Sequence, residues 1–211
     1  MSTRLDLPER LFVTGTDTGI GKTVVSAMLT LGLRARYWKP VQSGLDEETD
    51  TQFVKRVTDL PDTCFFAERF RLTAPLSPHA SAAMAGIEIH LHDFVLPSAT
   101  PEESIVVEGA GGLLVPLNST QMIIDLIAHL GLPAVLVTHT RLGTINHTLL
   151  SIAQLRLRSI PIAGVIMNGP ENAINRQAIE HYGRVPVIGV VEPLPAISRP
   201  TLQAMFNSIF R

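Results

Sequence analysis

The sequence has a single cysteine, Cys64, in 211 residues, and only three lysines, at positions 22, 39 and 55. One cysteine excludes an intramolecular disulfide and a thiolate metal cluster, as is typical of proteins kept in a reducing compartment. No apolar run approaches the roughly 18 residues of a membrane span, and the N-terminal MSTRLDLPER has no apolar signal-peptide core. We therefore expect a cytoplasmic protein without a membrane partner.

An excess of charge of either sign is also missing. Seventeen basic and nineteen acidic residues give a net charge of −2, and the pI is about 6.4. This balance gives no electrostatic reason to expect a nucleic-acid partner. Apolar residues make up 45% of the chain and charged residues 17%, the composition of a globular protein. Because the sequence has no internal repeat and no low-complexity linker, we expect residues 1–211 to form a single domain.

Short apolar runs alternate along the chain with stretches in which apolar residues have helical spacing. The runs are apolar at successive positions, which is typical of a parallel sheet covered by helices on both faces. The predicted strands are 11–14, 37–39, 105–107, 134–137, 162–167 and 187–191, and the predicted helices are 23–33, 122–130, 146–157 and 174–182. Residues 75–78 and 97–101 are predicted loops that frame a smaller element. This order predicts an α/β fold with a mostly parallel sheet, whose ligands bind at the carboxyl ends of the strands.

The first predicted strand leads into GTDTGIGKT, residues 15–23, at the start of a helix. Backbone N–H groups of a glycine-rich turn and the open N-terminus of a helix can cradle phosphate, Lys22 can reach the β- and γ-phosphates, and the Thr23 hydroxyl can ligate Mg²⁺. The loop is a variant, because Thr16 stands where the standard pattern has glycine. The alternative is a glycine-rich turn that only caps the helix, in which case the presence of Lys22 and Thr23 at its end would be a coincidence. We therefore predict a phosphate-binding loop within a P-loop NTPase-like fold.

Charged residues also stand at the ends of the next two predicted strands. Lys39 opens KPVQSG, residues 39–44, where Pro40 stiffens the chain and the lysine can present its charge beside the phosphate loop. The alternative is a surface lysine before an ordinary turn; the scarcity of lysine and the strand-end position favour a function. Glu108 opens EGAGG, residues 108–112, at a position where P-loop enzymes keep an acidic residue near Mg²⁺. The alternative there is a glycine-rich turn with an incidental glutamate.

Weaker signals lie at two further helix starts. Asp50 begins a predicted helix, and its local pattern by itself favours an N-cap residue. The segment RLGTINH, residues 141–147, opens another helix, whose free N–H groups would suit a carboxylate, although helix N-termini are common. We interpret His147 as structural, and we expect no metal site at His90 and His92.

Taken in order, these motifs resemble those of the dethiobiotin synthetases of biotin biosynthesis. The resemblance rests on GTDTGIGKT, KPVQSG, the Thr49-Asp50 pair, PLSPH at 75–79, EGAGGLLVPL at 108–117 and RLGTINH, and it covers residues 12 to about 194. It implies an ATP- and Mg²⁺-dependent enzyme that closes a cyclic urea from 7,8-diaminopelargonate and CO₂, with dethiobiotin, ADP and phosphate as products. It also implies a homodimer with active sites at the subunit interface.

The resemblance implies a role for individual residues. Lys22, Lys39 and Thr18 correspond to catalytic residues, and Thr23, Asp50 and Glu108 to the Mg²⁺ ligands, which changes the interpretation of Asp50 from a cap to a ligand. The implied nucleotide site consists of Gly19, Ile20, Gly21, Lys22, Thr23, Asp50, Glu108, Gly109, Ala110, Gly111, Asn168, Glu192, Pro193 and Leu194, with Asn168 reading adenine. The implied substrate site consists of Ser43 and, from the partner subunit, Gly143, Thr144 and Asn146.

An alternative from another functional class is a P-loop switch or partitioning ATPase, whose output is a conformational change. It would share the fold and the phosphate loop, but it would have no use for KPVQSG or for the helix start at Gly143. The sequence also departs from the family in three places, one of which is Gly169 and Pro170 after Asn168, at the position of a second contact to the base. The segment between Thr23 and Lys39 is short, so we expect the first helix to end near Leu33, and the part beyond Leu194 is brief and carries little recognisable signal.

Overall fold

Six parallel strands form the central sheet of the computed structural model, which describes residues 7–98, 100 and 103–210. In chain order the strands of this sheet are β1 (Arg10–Gly15), β2 (Arg36–Trp38), β5 (Ile105–Glu108), β6 (Ala134–His139), β7 (Ile162–Asn168) and β8 (Val187–Val191), and a second, two-stranded parallel sheet consists of β3 (Val41–Ser43) and β4 (Phe70–Leu72). The spatial order in the central sheet is β2-β5-β1-β6-β7-β8. The strand that precedes the phosphate loop, β1, thus lies in the interior of the sheet, between β5 and β6.

Helices cover both faces of this sheet. They are α1 (Lys22–Gly32), α2 (Asp50–Thr58), α3 (Pro78–Met84), α4 (Ile123–Leu130), α5 (Thr144–Leu157), α6 (Ala173–Gly183) and α7 (Arg199–Phe210), with single 3-10 turns at Asp62–Cys64 and Leu91–Asp93. Alternate residues of β1 face opposite cores: Leu11 and Val13 pack with residues of α1, α2 and α7, while Phe12 packs with residues of α4. The predicted α/β fold with a mostly parallel sheet and helices on both faces is confirmed.

The predicted element boundaries are accurate to one or two residues. Helix α1 ends at Gly32, with Leu33 as its C-cap, as expected from the short first segment. Strand β2 ends at Trp38, so Lys39 lies directly after the strand instead of inside it. Of the predicted proline-rich loops, Pro78 instead begins α3, and residues 99 and 101 of the second loop lie outside the described part of the chain.

Two features of the fold are not among the predicted elements. The small sheet of β3 and β4 lies between β2 and β5 in the chain, and Pro40 leads into it, because its carbonyl accepts from the N–H groups of Arg69 and Phe70. The second feature is α7, in the segment beyond Leu194 that carries little recognisable signal. Its apolar side chains at every fourth position are buried against the first core: Leu202, Phe206 and Phe210.

None of the helices in the described ranges is long and apolar enough to cross a membrane.

The His90 and His92 rings stack with their centroids 5.1 Å apart. Within the same ranges, His, Cys, Asp and Glu form no group of three or more that could hold a metal ion.

Candidate active site at the carboxyl ends of β1, β2 and β5

The phosphate loop joins β1 to α1 as predicted. Gly21 is the N-cap of α1, with φ of +89°, and it provides no side chain to occupy the first N–H groups of the helix. A Cβ at this position would overlap the side chain of Asn168, whose Nδ2 donates to the Ile20 carbonyl at 2.8 Å. Asn168 at the end of β7 therefore packs directly against the loop, and only glycine fits at position 21. The Lys22 ammonium donates to the Asp17 carbonyl at 2.8 Å, within the loop itself.

Three oxygen-bearing side chains meet beside this loop. The Thr23 hydroxyl lies 2.7 Å from Asp50 Oδ1 and 3.0 Å from Glu108 Oε1, and it donates to one of them at a time. Thr23 comes from the first turn of α1, Asp50 from the first turn of α2 and Glu108 from the end of β5. Carboxylate and hydroxyl oxygens are the ligands that Mg²⁺ prefers, usually one or two carboxylates with water and phosphate completing the shell. The three side chains fit such a site.

Lys39 forms ion pairs with both carboxylates, those of Asp50 and Glu108. Its Nζ lies 2.7 Å from Asp50 Oδ2 and donates to Glu108 Oε1 at 3.0 Å and to the Gly109 carbonyl at 3.1 Å. An ammonium has three N–H groups, so these three acceptors use all of them. Lys39 is 3% exposed and Glu108 is 1% exposed, which makes this a buried ion pair. Such a pair is stable only when its hydrogen bonds are complete, as they are here.

Burial and charge act in opposite directions on the ionisation of this cluster. Burial by itself would lower the pKa of Lys39, but the charges of Glu108 and Asp50 outweigh it and raise that pKa above the ordinary value. Burial likewise opposes the charged form of Asp50, whereas Lys39 and the Thr23 hydroxyl lower its pKa. Lys22 lacks such partners at short range: burial and the positive charge of Lys39 lower its pKa to about 8. Lys39 and Asp50 are therefore charged at neutral pH, and an anionic ligand would stabilise the charged form of Lys22.

The interpretation of Asp50 as a helix cap, drawn from its local pattern, is wrong. The N-cap of α2 is Thr49, whose hydroxyl accepts from the Gln52 N–H, while the Gln52 side chain accepts from the Thr49 N–H. The N–H of Asp50 donates to Gln42 Oε1 at 3.1 Å. The capping box and the Gln42 side chain of β3 hold the backbone at Asp50 in place. Its carboxylate is therefore free to face Thr23 and Lys39.

A cavity of about 560 Å³ opens beside Lys39 and Asp50. Its other walls come from the phosphate loop, β3, the start of α3 and the turn after β5, and the residues are Thr18, Val41, Gln42, Ser43, Pro75, Leu76, Ser77, Pro78, Ala110, Gly111 and Val115. The Ser43 hydroxyl is buried and has no hydrogen-bond partner among the described residues. The lining therefore combines the charged Lys39 and Asp50 with four polar side chains, Thr18, Gln42, Ser43 and Ser77, and its other residues are apolar or glycine. Thr18 and Ser43 thus lie in the lining of one cavity, and their roles stay predictions.

The predicted helix start at 143–146 lies at the end of β6, where Gly143 is the N-cap of α5. Gly143 and Asn146 are exposed, but Thr144 is buried, and its hydroxyl bonds to Thr138 and to the His139 carbonyl. The side chain of Thr144 thus supports the helix from inside. Leu142, fully exposed, and Leu150, 59% exposed, flank this start. A cavity of about 410 Å³ lies nearby, between the phosphate loop, the 112–115 turn and α5, and His147 is among its lining residues.

The residues assigned to the nucleotide base lie on the other side of the loop. Asn168 ends β7, and its hydrogen bond to Ile20 uses one N–H of the amide, which leaves Oδ1 as an acceptor. Glu192 and Pro193 follow β8 and are exposed, whereas Leu194 packs partly buried against the α1 core. Their parts in base recognition stay predictions.

Sequence reasoning missed three side chains that hold the cluster in place: Tyr37, Gln42 and Thr49. The Tyr37 hydroxyl donates to Glu108 Oε2 at 2.9 Å, and burial together with the Glu108 charge raises the pKa of this phenol well above its ordinary value. The signal in the sequence is the position of Tyr37 two residues before Lys39, because residues two apart in extended backbone point to the same face. Thr49 with Gln52 matches the capping-box spacing.

The fold and the site define a P-loop nucleotide-dependent enzyme. A family model described as an AAA domain matches residues 9–201. Among solved structures, a ParA family ATPase from Chlorobium tepidum TLS superposes with a TM-score of 0.55 at 13% sequence identity, covering 96% of this chain and 91% of that one. At such low identity the likeness shows the fold alone.

Comparison with named proteins identifies the particular family. The chain is 50% identical over 200 residues to the ATP-dependent dethiobiotin synthetase BioD of Rhodopseudomonas palustris (strain BisB5), covering 95% of this chain and 93% of that protein. It is 47% identical over 213 residues to the biotin biosynthesis bifunctional protein BioCD of Bordetella avium (strain 197N), of which it spans 45%. This chain belongs to the dethiobiotin synthetase family.

Proposed function

We propose that this protein converts 7,8-diaminopelargonate, CO₂ and ATP to dethiobiotin, ADP and phosphate. The observation that carries the proposal is the convergence of Thr23, Lys39, Asp50 and Glu108 beside a phosphate loop, in a chain of the dethiobiotin synthetase family. Lys39 and Asp50 of this cluster also line the cavity of about 560 Å³. In this proposal residues 1–211 act as a single P-loop ATPase-like domain. We place the protein in the cytoplasm, where ATP is supplied.

The chemistry requires two anions to approach each other. One amine of the substrate adds to CO₂ and loses a proton, which gives a carbamate. A carbamate oxygen attacks the γ-phosphorus and ADP leaves; the second amine then attacks the carbonyl carbon and expels phosphate as the ring closes. Lys22 and Lys39, which both interact with the charges of Asp50 and Glu108, provide the positive charge against which both anions can be held.

The main contribution of the protein is to position the reactants. Holding the carbamate and the γ-phosphate in contact can supply on the order of 7–11 kcal/mol of the barrier. The phosphate loop with Thr18 and Lys22 holds the nucleotide, Asn168 contacts the base, and Ser43 and Lys39 hold the substrate end in the cavity. The Ser43 hydroxyl, buried without a partner, supports this assignment because such a group gains from a polar ligand.

We assign Thr23, Asp50 and Glu108 as the residues that would hold Mg²⁺. When bound, Mg²⁺ neutralises charge on the transferred phosphoryl group. The fit rests on the Thr23 hydroxyl, which lies 2.7 Å from Asp50 Oδ1 and 3.0 Å from Glu108 Oε1. The remaining positions of the metal would be taken by phosphate oxygens and water.

The active protein in this proposal is a homodimer whose sites are shared. Gly143 and Asn146, at the exposed start of α5, would receive the carboxylate of a substrate bound in the cavity of the other subunit. The exposed leucines around this start, Leu114, Leu142 and Leu150, support a protein contact here, because isolated proteins seldom expose such a cluster.

Transfer of labelled bicarbonate tests the function. With ATP, Mg²⁺ and 7,8-diaminopelargonate, the protein should form an acid-stable labelled product together with an equal amount of ADP. Lys22→Ala should abolish this, while Lys55→Ala, which changes an exposed lysine paired with Asp62, should not. ATP hydrolysis that needs neither the diamine nor bicarbonate would instead support a P-loop switch ATPase.

A further inference from the structure

The carboxylate of Glu108 has two oxygens with different partners. Oε1 faces the site, where Lys39 Nζ and the Thr23 hydroxyl lie 3.0 Å away. Oε2 faces the sheet, where it accepts from the Tyr37 hydroxyl at 2.9 Å. Among the described residues, no other hydrogen bond is found for Oε2. The orientation of the carboxylate, and thus the oxygen it offers, depends on both sets of contacts.

The sheet explains how the phenol reaches this oxygen. Strand β2 is an edge strand that pairs with β5, with Tyr37 opposite Val106 and Trp38 opposite Val107. Tyr37 lies within β2 and Lys39 directly follows it, and both donate to Glu108, which ends the neighbouring strand. Tyr37 is fully buried, and its ring packs edge to face on Phe65 with centroids 6.1 Å apart. The phenol is therefore fixed in place before any ligand binds.

We propose that Tyr37 is a positioning residue, which holds Glu108 Oε2 so that Oε1 is presented to the metal at the site. This inference rests on the proposed assignment of Thr23, Asp50 and Glu108 as metal ligands. A metal that binds must displace or share the partners of Oε1, since the Thr23 hydroxyl and Lys39 now occupy it. Tyr37 bonds the other oxygen, so its hydrogen bond survives that exchange. Without the phenol, the carboxylate can turn and offer both oxygens to Lys39, which would compete with the metal.

The main test is metal binding by Tyr37→Phe, which removes one hydroxyl and keeps the ring that packs on Phe65. Mn²⁺ serves as the probe, because it takes the same oxygen ligands as Mg²⁺ and its binding is followed by electron paramagnetic resonance in the presence of ADP. We expect the Mn²⁺ concentration at half-saturation to rise on the order of tenfold, the usual effect of removing a partner of a metal ligand. Affinity for ADP without metal should stay unchanged.

Tyr182→Phe is the matched control, since Tyr182 is the second of the two tyrosines and lies 68% exposed on α6. It should bind Mn²⁺ as the unchanged protein does. In a Glu108→Gln background, Tyr37→Phe should add nothing to the loss, because both act through one carboxylate. A purely structural role predicts instead a lower melting temperature with unaltered Mn²⁺ binding, and that result would overturn the inference.

A spectroscopic experiment tests the same inference without replacing Tyr37. In Tyr182→Phe protein grown with 3-fluorotyrosine, the one fluorine resonance comes from position 37. It should move when Mg²⁺ is added to the ADP complex and stay still in the Glu108→Gln version; a resonance unmoved in both would overturn the inference. Failure of the unchanged protein itself to bind Mn²⁺ with ADP would refute the metal assignment and this inference with it. Normal Mn²⁺ binding by Tyr37→Phe would refute the inference alone.

Discussion

Lys39 shows how a single residue can be both the centre of a structural cluster and a reactive group. Its ammonium neutralises two carboxylates that would otherwise repel each other across Thr23. The same charge borders the cavity in which we place the carbamate. Burial of a lysine is costly unless it is paired, so its position beside two acids is the condition for keeping it charged at a site with little water.

Lys39→Met should therefore lower the rate of synthesis without weakening the binding of ADP. We expect synthesis to fall on the order of a hundredfold or more, about 2.7 kcal/mol of barrier, because the carbamate loses its counter-charge. Affinity for ADP, held by the phosphate loop, should change little in isothermal titration. Lys55→Met is the control for the loss of a lysine at the surface. A parallel loss of ADP affinity in Lys39→Met would show that Lys39 acts by holding the loop together.

The lowered pKa of Lys22 makes nucleotide binding depend on pH. Burial and Lys39 bring this pKa to about 8 in the free protein. Phosphates favour the charged lysine and raise its pKa in the complex, so ADP binding takes up a proton when the pH exceeds 8. Affinity should be constant at lower pH and fall by up to about tenfold per unit above it. Calorimetry from pH 7.5 to 9.5 in buffers of different ionisation enthalpy would measure both effects; an affinity that does not change would contradict the assignment.

At the scale of elements, helix starts decide the geometry of the site. Helix α1 begins without a side-chain cap and offers its N–H groups, whereas α2 begins with a complete capping box that fixes Asp50 at its first position. The two starts face each other across the Thr23–Asp50 contact. A cap lost from α2 should thus affect function as well as stability.

Thr49→Ala tests this coupling. It should lower the free energy of unfolding by about 1 kcal/mol, the usual cost of an N-cap, and also raise the Mg²⁺ concentration needed for half-maximal activity. Asn172→Ala, which removes the side-chain cap of α6, is the matched variant. It should show a similar loss in urea unfolding with the Mg²⁺ requirement unaltered. Equal Mg²⁺ curves for the two variants would mean that the cap of α2 contributes to stability only.

Helix α7 packs against α1 and covers it. Gly32 leaves room for the Phe206 ring, because a Cβ there would overlap it, and Phe206 is 5% exposed. Phe206→Ala should lower the free energy of unfolding by about 3–5 kcal/mol through the cavity it creates. Ser208→Ala, on the exposed side of α7, should be close to neutral in the same urea titration. A small loss for Phe206→Ala would mean that α7 packs only loosely on α1.

At the scale of the whole molecule, assembly and chemistry should be inseparable. Lys22→Ala subunits keep an intact start of α5, and Asn146→Asp subunits keep an intact phosphate loop. The added negative charge of Asn146→Asp opposes the substrate carboxylate, so each variant alone should be inactive. Random mixing should recover about a quarter of native activity, because half the dimers are mixed and each has one working site. No recovery, with mixed dimers seen by native mass spectrometry, would mean that each subunit binds its substrate alone.

The sequence by itself determined the six strands of the central sheet in chain order, the helices α1, α2, α4, α5 and α6, the position of the glycine-rich loop before α1, and the strand-end positions of Lys39 and Glu108. These follow from local patterns and from one rule, that the carboxyl ends of parallel strands share an edge. The tertiary structure alone decided which of those groups touch. The Thr23–Asp50, Tyr37–Glu108 and Asn168–Ile20 contacts join residues 27, 71 and 148 positions apart. Local spacing carries no information at such distances, because these side chains are brought together by the strand order β2-β5-β1-β6-β7-β8 and by the packing of α2 against α1.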